Sequence, residues 1–77
     1  MVVRNKYKVP VKTWRKWSQR ARYVFNDLYS SMTNSPFAFR TPALDKVKLT
    51  ARQWKVTAWN AAWMAADAVR DYDREVV

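Results

Sequence analysis

An all-α fold is what this sequence predicts, built from two long helices packed as an antiparallel hairpin. Apolar residues recur at i, i+3, i+4 and i+7 spacing over about 11–32 and again over about 51–74, which is the pattern of amphipathic helices. The prolines, Pro10, Pro36 and Pro42, fall outside both stretches, where they can open helices without interrupting one. The 77 residues suffice for a single small domain, 1–77, with a basic arm at 1–10 and an ordered connector at 33–49.

The arm alternates. Val3, Asn5, Tyr7 and Val9 fall on one side and Arg4, Lys6 and Lys8 on the other. Period two marks an extended segment with its basic side in solvent, and no later stretch supplies a second strand, so a docked arm is expected. Pro10 then suits the opening of a helix. In that helix Trp14, Trp17, Ala21, Val24, Phe25, Leu28 and Met32 form the apolar face. Lys12, Arg15, Lys16, Gln19, Arg20, Arg22 and Asn26 form the opposite one, with Tyr23 among them.

Pro36 ends this helix by biasing Ser35 away from helical geometry. The connector has two Ser/Thr-Pro pairs, Ser35-Pro36 and Thr41-Pro42, each able to start a short helical turn. Phe37, Phe39, Leu44 and Val47 give it apolar anchors. Thr50 and Gln53 have the T-x-x-Q spacing of a capping box, so the second long helix is expected from Ala51.

That helix offers two stripes. The first, Trp54, Ala58, Ala61, Ala65, Val69, Tyr72 and Val76, is expected to face the first helix, because alanines permit close approach. The second runs through Arg52, Val56, Trp59, Trp63, Ala66 and Arg70. It lies a third to a half turn away at ~100° per residue, so one partner helix is not expected to cover both. Its cover is either the chain itself, through Phe37, Phe39, Leu44 or Tyr7, or another chain. Paired tryptophans flanked by arginines have the composition of an interface hot spot. Arg52, Val56, Trp59, Trp63 and Arg70 are therefore the candidate protein-binding residues, with a homodimer as one possible outcome.

Composition narrows the function. With no histidine, cysteine or glycine, the chain lacks the usual nucleophiles, general bases and zinc ligands, and any glycine-rich phosphate loop. It is expected not to be an enzyme, and to use no metal, cofactor or small-molecule substrate. The absence of cysteine also removes disulfides as a source of stability. Large aromatic side chains, five Trp, four Tyr and three Phe, are left to fill a small core.

The net charge is +9, and it is unevenly placed. Arg4, Lys6, Lys8, Lys12, Arg15, Lys16, Arg20 and Arg22 occupy the first part of the chain without an acidic residue among them. Asp67, Asp71, Asp73 and Glu75 gather near the other end. In an antiparallel pair those acids would approach Arg15, Arg20 or Arg22. Such a field favours nucleic acid, an anionic membrane or an acidic protein surface. The basic candidates are Lys12, Arg15, Lys16, Gln19, Arg20 and Arg22. The interleaved Trp14-Arg15-Lys16-Trp17 is also found in helices that lie on membranes, but both tryptophans belong to the expected core face. No run approaches the ~18–20 apolar residues of a bilayer span, and the first residues lack the apolar core of a secretory signal. A soluble, cytoplasmic protein is expected.

The segments VKTWRKWSQRARYVFNDLYSSM and LTARQWKVTAWNAAWMAADAV resemble in style and size small, uncharacterised bacteriophage accessory proteins of the host-takeover type. The resemblance covers about two-thirds of the chain and includes no diagnostic motif. It implies a non-enzymatic protein that binds and modulates or inhibits a host protein, such as a nucleic-acid-processing enzyme, through an acidic site. Direct binding of DNA or RNA through the basic face of the first helix and the arm is the alternative.

Overall fold

A computed structural model describes residues 2–35 and 49–76. Among them the regular structure is entirely helical: α1, Val11–Lys16; α2, Gln19–Asn34; and α3, Ala51–Val76. The expectations placed on Pro36, Phe37, Phe39, Thr41-Pro42, Leu44 and Val47 lie outside the described residues.

The first predicted helix is two helices. Trp17 leaves α1 in an extended conformation, with φ −76° and ψ 139°, and Ser18 caps α2 by accepting from the Ala21 N–H at 3.2 Å. The break has a tertiary cause. The Ser18 hydroxyl also donates to Oδ2 of Asp73 at 2.8 Å, and the Trp17 side chain turns inward until it is almost wholly buried. A serine side chain competes with the helix for its own backbone, and here a partner far along the chain holds it in that role.

Two other element ends follow their local chemistry. Pro10 accepts at its carbonyl from the Trp14 N–H at 2.9 Å, so it stands as the N-cap of α1. At the start of α3 the Thr50 N–H donates to Gln53 Oε1 at 2.9 Å, and the Gln53 N–H donates to Thr50 Oγ1 at 3.1 Å. This reciprocal pair is the capping box.

Packing between α2 and α3 follows a falling register. The Trp54 indole N–H donates to the Met32 carbonyl at 2.7 Å near one end. The Phe25 ring meets Trp59 at 5.0 Å in the middle, and Ser18 meets Asp73 near the other end. The fully buried face of α3 is Trp54, Ala58, Ala62 and Ala66. The expected stripe, with Ala61, Ala65 and Val69, is thus displaced by one position, and those three residues are only half-buried. Trp54 and Ala58 are common to both stripes, so the buried face swings by only about 40°, toward Trp59 and Trp63, which thereby meet α2. The physical reason is area. An indole buries far more apolar surface than an alanine methyl, and alanine at Ala58, Ala62 and Ala66 still allows the close approach.

The arm docks on this pair. Along Val2–Val9 burial alternates with the sequence pattern: Val3, Asn5, Tyr7 and Val9 are shielded, whereas Arg4, Lys6 and Lys8 are exposed. Val9 belongs to the core cluster with Trp17, Ala21, Phe25, Ala62 and Ala66, and Tyr7 packs against it. A bend at Lys6 and Tyr7 makes this possible. It is fixed by the Asn5 side chain, which donates to the Val9 carbonyl and accepts from the Val9 N–H, both at 2.8 Å. No helix among the described residues is long and apolar enough to cross a membrane.

Candidate functional site

The residues singled out as candidates separate into three environments. The first is a basic front formed by the arm and the start of the helical part. Lys12, Arg15 and Lys16 are exposed on α1, and Gln19 and Arg20 on the first turn of α2. They continue the exposed Arg4, Lys6 and Lys8 of the arm. They follow one another along the arm, α1 and the start of α2.

Arg22 departs from that group. Its guanidinium lies 5.4 Å from the centre of the Trp14 ring, and its Nε donates to the Trp14 carbonyl at 2.8 Å. A cation on an indole face is electrostatically favoured, and the hydrogen bond satisfies a carbonyl near the end of α1. Arg22 thus joins α1 to α2.

The second environment is aromatic. Trp59 and Trp63 are half-buried and packed against the core. The Trp59 ring stands edge-on to Phe25 at 5.0 Å and to Tyr29 at 5.5 Å. The Trp63 ring stands edge-on to Trp17 at 5.2 Å and lies 6.0 Å from Trp59. Tyr7 extends the cluster, 4.6 Å from Tyr29. Edge-to-face contacts at such separations add to the burial energy. These side chains cover the two tryptophans from within the described chain, and of the covers considered in the sequence the arm's Tyr7 belongs to this cluster.

The third is the surface of α3. Arg52 is exposed at its start, and Val56 is 57% exposed and Met64 71% exposed further along. Arg70 sits near the other end, where it pairs with Asp67 at 3.5 Å and with Asp71 at 3.0 Å. Eighteen positions of helix separate Arg52 from Arg70, about 27 Å, so the two arginines do not converge on one point.

The acids occupy a limited region. Asp67 accepts the Trp17 indole N–H at 2.9 Å, and Asp73 takes the Ser18 hydroxyl and lies 3.3 Å from Arg20. Asp67 and Asp71 also hold Arg70. The carboxylates near the end of α3 therefore meet the start of α2, through Asp73 and Arg20. Among the described residues no ion pair involves Arg4, Lys6, Lys8, Lys12, Arg15 or Lys16. Apart from Asp27, which lines the same groove as Arg4 and Lys6, that leaves this part of the front without acidic compensation among the described residues.

A groove between the arm and α2 escaped sequence reasoning. Val2, Val3, Arg4 and Lys6 face Tyr23, Asn26, Asp27 and Ser30 across about 350 Å³. Asn26, expected on the solvent face of its helix, is 8% exposed because the arm lies over it. Its Nδ2 donates to the Arg4 carbonyl at 2.7 Å. The only signal in the sequence is the alternation that predicts a docked arm, and it does not say where the arm docks. Among the described residues no group of three or more His, Cys, Asp or Glu is placed to hold a metal ion.

Comparison with known proteins finds no matching family model, no matching curated protein and no matching solved structure.

Proposed function

We propose that this chain is a non-enzymatic binding protein whose basic front, Arg4, Lys6, Lys8, Lys12, Arg15, Lys16, Gln19 and Arg20, engages the phosphate backbone of a nucleic acid. The observation that carries the reading is the segregation of charge. Asp67, Asp71 and Asp73 of α3 are engaged by Trp17, Ser18, Arg20 and Arg70, while the six cations from Arg4 to Lys16 are exposed and without ion pairs among the described residues. A strip of unneutralised cations releases condensed counterions when it meets phosphates, which is the main source of non-specific affinity. In this reading the two long helices form an antiparallel hairpin closed by the connector at 33–49. That frame holds the front rigid in an aqueous cytoplasm. Arg22 serves the frame rather than the nucleic acid.

The test is binding of labelled single-stranded and duplex DNA as a function of salt. A front touching about six phosphates loses on the order of 10³-fold in affinity between 50 and 200 mM salt. The triple substitution Lys12→Ala, Arg15→Ala, Lys16→Ala flattens that slope. Absence of any binding at low salt overturns the proposal.

A second reading, a host-takeover protein that inhibits a host nucleic-acid enzyme, is favoured by a different observation. Val56 and Met64 stand exposed on α3, and Val56 shares a shallow depression with Leu49, Arg52, Gln53 and Thr57. Exposed apolar side chains beside a cation suit a protein partner with an acidic rim. Here Arg52 and Val56 are the contact residues. Trp59 and Trp63 support them from below, and Arg70 stiffens the far end. Capture of a host enzyme that is lost with Val56→Asp and Arg52→Glu supports this reading, and retention with both substitutions removes it.

A further inference from the structure

The groove between the arm and α2 differs chemically from the basic surface around it. Two features point to a ligand. Asn26 is more than nine-tenths buried, donates its Nδ2 to the Arg4 carbonyl, and leaves its Oδ1 without a hydrogen-bond partner among the described residues. A buried acceptor in that state is unfavourable until an N–H or O–H reaches it. Asp27, beside it, is an exposed carboxylate with no ion pair among the described residues. A carboxylate on a phosphate-binding front weakens binding to the backbone, so its counterpart is a donor group on some other part of the ligand.

We propose that the groove holds a guanine base of a single-stranded nucleic acid; this rests on the nucleic-acid reading above and deepens it. Guanine carries adjacent donors, N1–H and the N2 amino group, on one edge and the acceptors O6 and N7 on the next. Asn26 Oδ1 and the Asp27 carboxylate accept from the donor edge. Arg4 and Lys6, on the opposite wall, donate to O6 and N7. Tyr23, 53% exposed, offers a ring on which the base stacks, as aromatic side chains do for unpaired bases. Adenine, cytosine and thymine each place a ring or carbonyl acceptor beside their donor on that edge, and an acceptor facing Asp27 is repelled. A duplex keeps the same edge in base pairing, so the ligand is a single strand.

The arm yields to admit the base. Its outer part is tied to α2 by the hydrogen bond from Asn26 to the Arg4 carbonyl, while Tyr7 and Val9 anchor the inner part in the core. From the groove the strand continues past Tyr23 into the adjoining depression of Val3, Gln19, Arg20 and Val24, which leads toward the cations of the front.

The experiment measures fluorescence anisotropy of a short labelled oligothymidine and of the same oligomer with one central guanine. The proteins are the full chain and its Asp27→Asn and Tyr23→Ala variants, with circular dichroism as the check on folding. Guanosine monophosphate serves as competitor. The guanine oligomer is expected to bind about tenfold tighter to the parent chain, the size of one well-made base contact. Asp27→Asn is expected to erase that preference while leaving or raising affinity for oligothymidine, and Tyr23→Ala to weaken both. Salt-dependent binding without guanine preference, or a preference that survives Asp27→Asn, overturns the pocket and leaves the backbone reading standing. Failure of both oligomers to bind at low salt overturns the backbone reading, and the pocket with it. Competition by the free nucleotide as strong as by the oligomer overturns the assignment to a strand.

Discussion

The indole N–H of Trp17 donates to Oδ1 of Asp67 at 2.9 Å. The bond joins the extended residue between α1 and α2 to the middle of the last helix. Trp17 is almost fully buried, and its ring also contacts Trp63 and Phe25, both at 5.2 Å. The hydrogen bond therefore satisfies the polar end of an otherwise apolar core side chain. Asp67 holds Arg70 with the same oxygen.

Removing the acceptor tests this arrangement. Asp67→Ala leaves a buried donor unsatisfied, which costs about 1–3 kcal/mol. Asp67→Asn keeps an acceptor and is expected to cost less. In urea denaturation Asp67→Ala therefore shows a clearly lower midpoint than Asp67→Asn. When Trp17→Phe removes the donor as well, the further effect of Asp67→Ala should largely vanish. Additive losses would show that the bond contributes nothing.

The two inward tryptophans of α3 make a stronger prediction. Trp59 and Trp63 contact Phe25, Tyr29 and Trp17 within the aromatic cluster. Truncating a core tryptophan to alanine costs about 3–5 kcal/mol, and small domains hold only about 5–15 kcal/mol in total. Trp59→Ala with Trp63→Ala is expected to abolish the cooperative thermal transition and the near-ultraviolet dichroism. Val56→Ala and Met64→Ala, at exposed positions, should leave both intact. A folded double-tryptophan variant would instead assign those rings to the surface.

Ser18 has two tasks, and its substitution measures both. Its oxygen accepts from the Ala21 N–H, and its hydroxyl proton goes to Asp73. Loss of a serine N-cap costs about 0.5–2 kcal/mol. Ser18→Ala should reach the upper part of that range because the bond to Asp73 is lost with it. Ser18→Gly, which restores cap geometry without the hydroxyl, should recover only part. Equilibrium unfolding of the two variants beside Asp73→Ala separates the contributions.

Much of this fold is legible in the chain, and the failures have physical causes. The Thr50–Gln53 box and the alternation from Val3 to Val9 depend on residues a few positions apart, so local pattern suffices. The break at Trp17–Ser18 depends on Asp73, an unrelated distance along the sequence, and periodicity alone runs straight through it. The facing of α3 fails for another reason. Alanines stand at Ala58, Ala61, Ala62, Ala65 and Ala66, so small residues mark two neighbouring stripes equally well. The choice is made by the indoles, whose burial needs Trp17, Phe25 and Tyr29 in place. Of the candidate sites, the exposed cations could be read from charge alone. The groove at Asn26 could not, because it exists only once the arm lies across α2.

That arm supplies the last prediction. Asn5 closes its bend through two hydrogen bonds of 2.8 Å to Val9, and Lys8 within the bend has φ 57°. A left-handed residue with a Cβ costs about 1–2 kcal/mol, whereas glycine takes that conformation freely. Asn5→Ala removes both bonds, a loss of about 1–2 kcal/mol, and should free the arm from the core. Trypsin reads this directly, since cleavage after Lys6 and Lys8 becomes faster when Tyr7 and Val9 detach. Lys8→Gly should leave cleavage after Lys6 as slow as in the parent and should not lower stability. Lys8→Val, β-branched in the same left-handed position, should destabilise the bend and speed that cleavage. Equal cleavage of the parent, Asn5→Ala and Lys8→Val chains would mean that the bend does not hold the arm. The Asn26 groove would then lack its second wall.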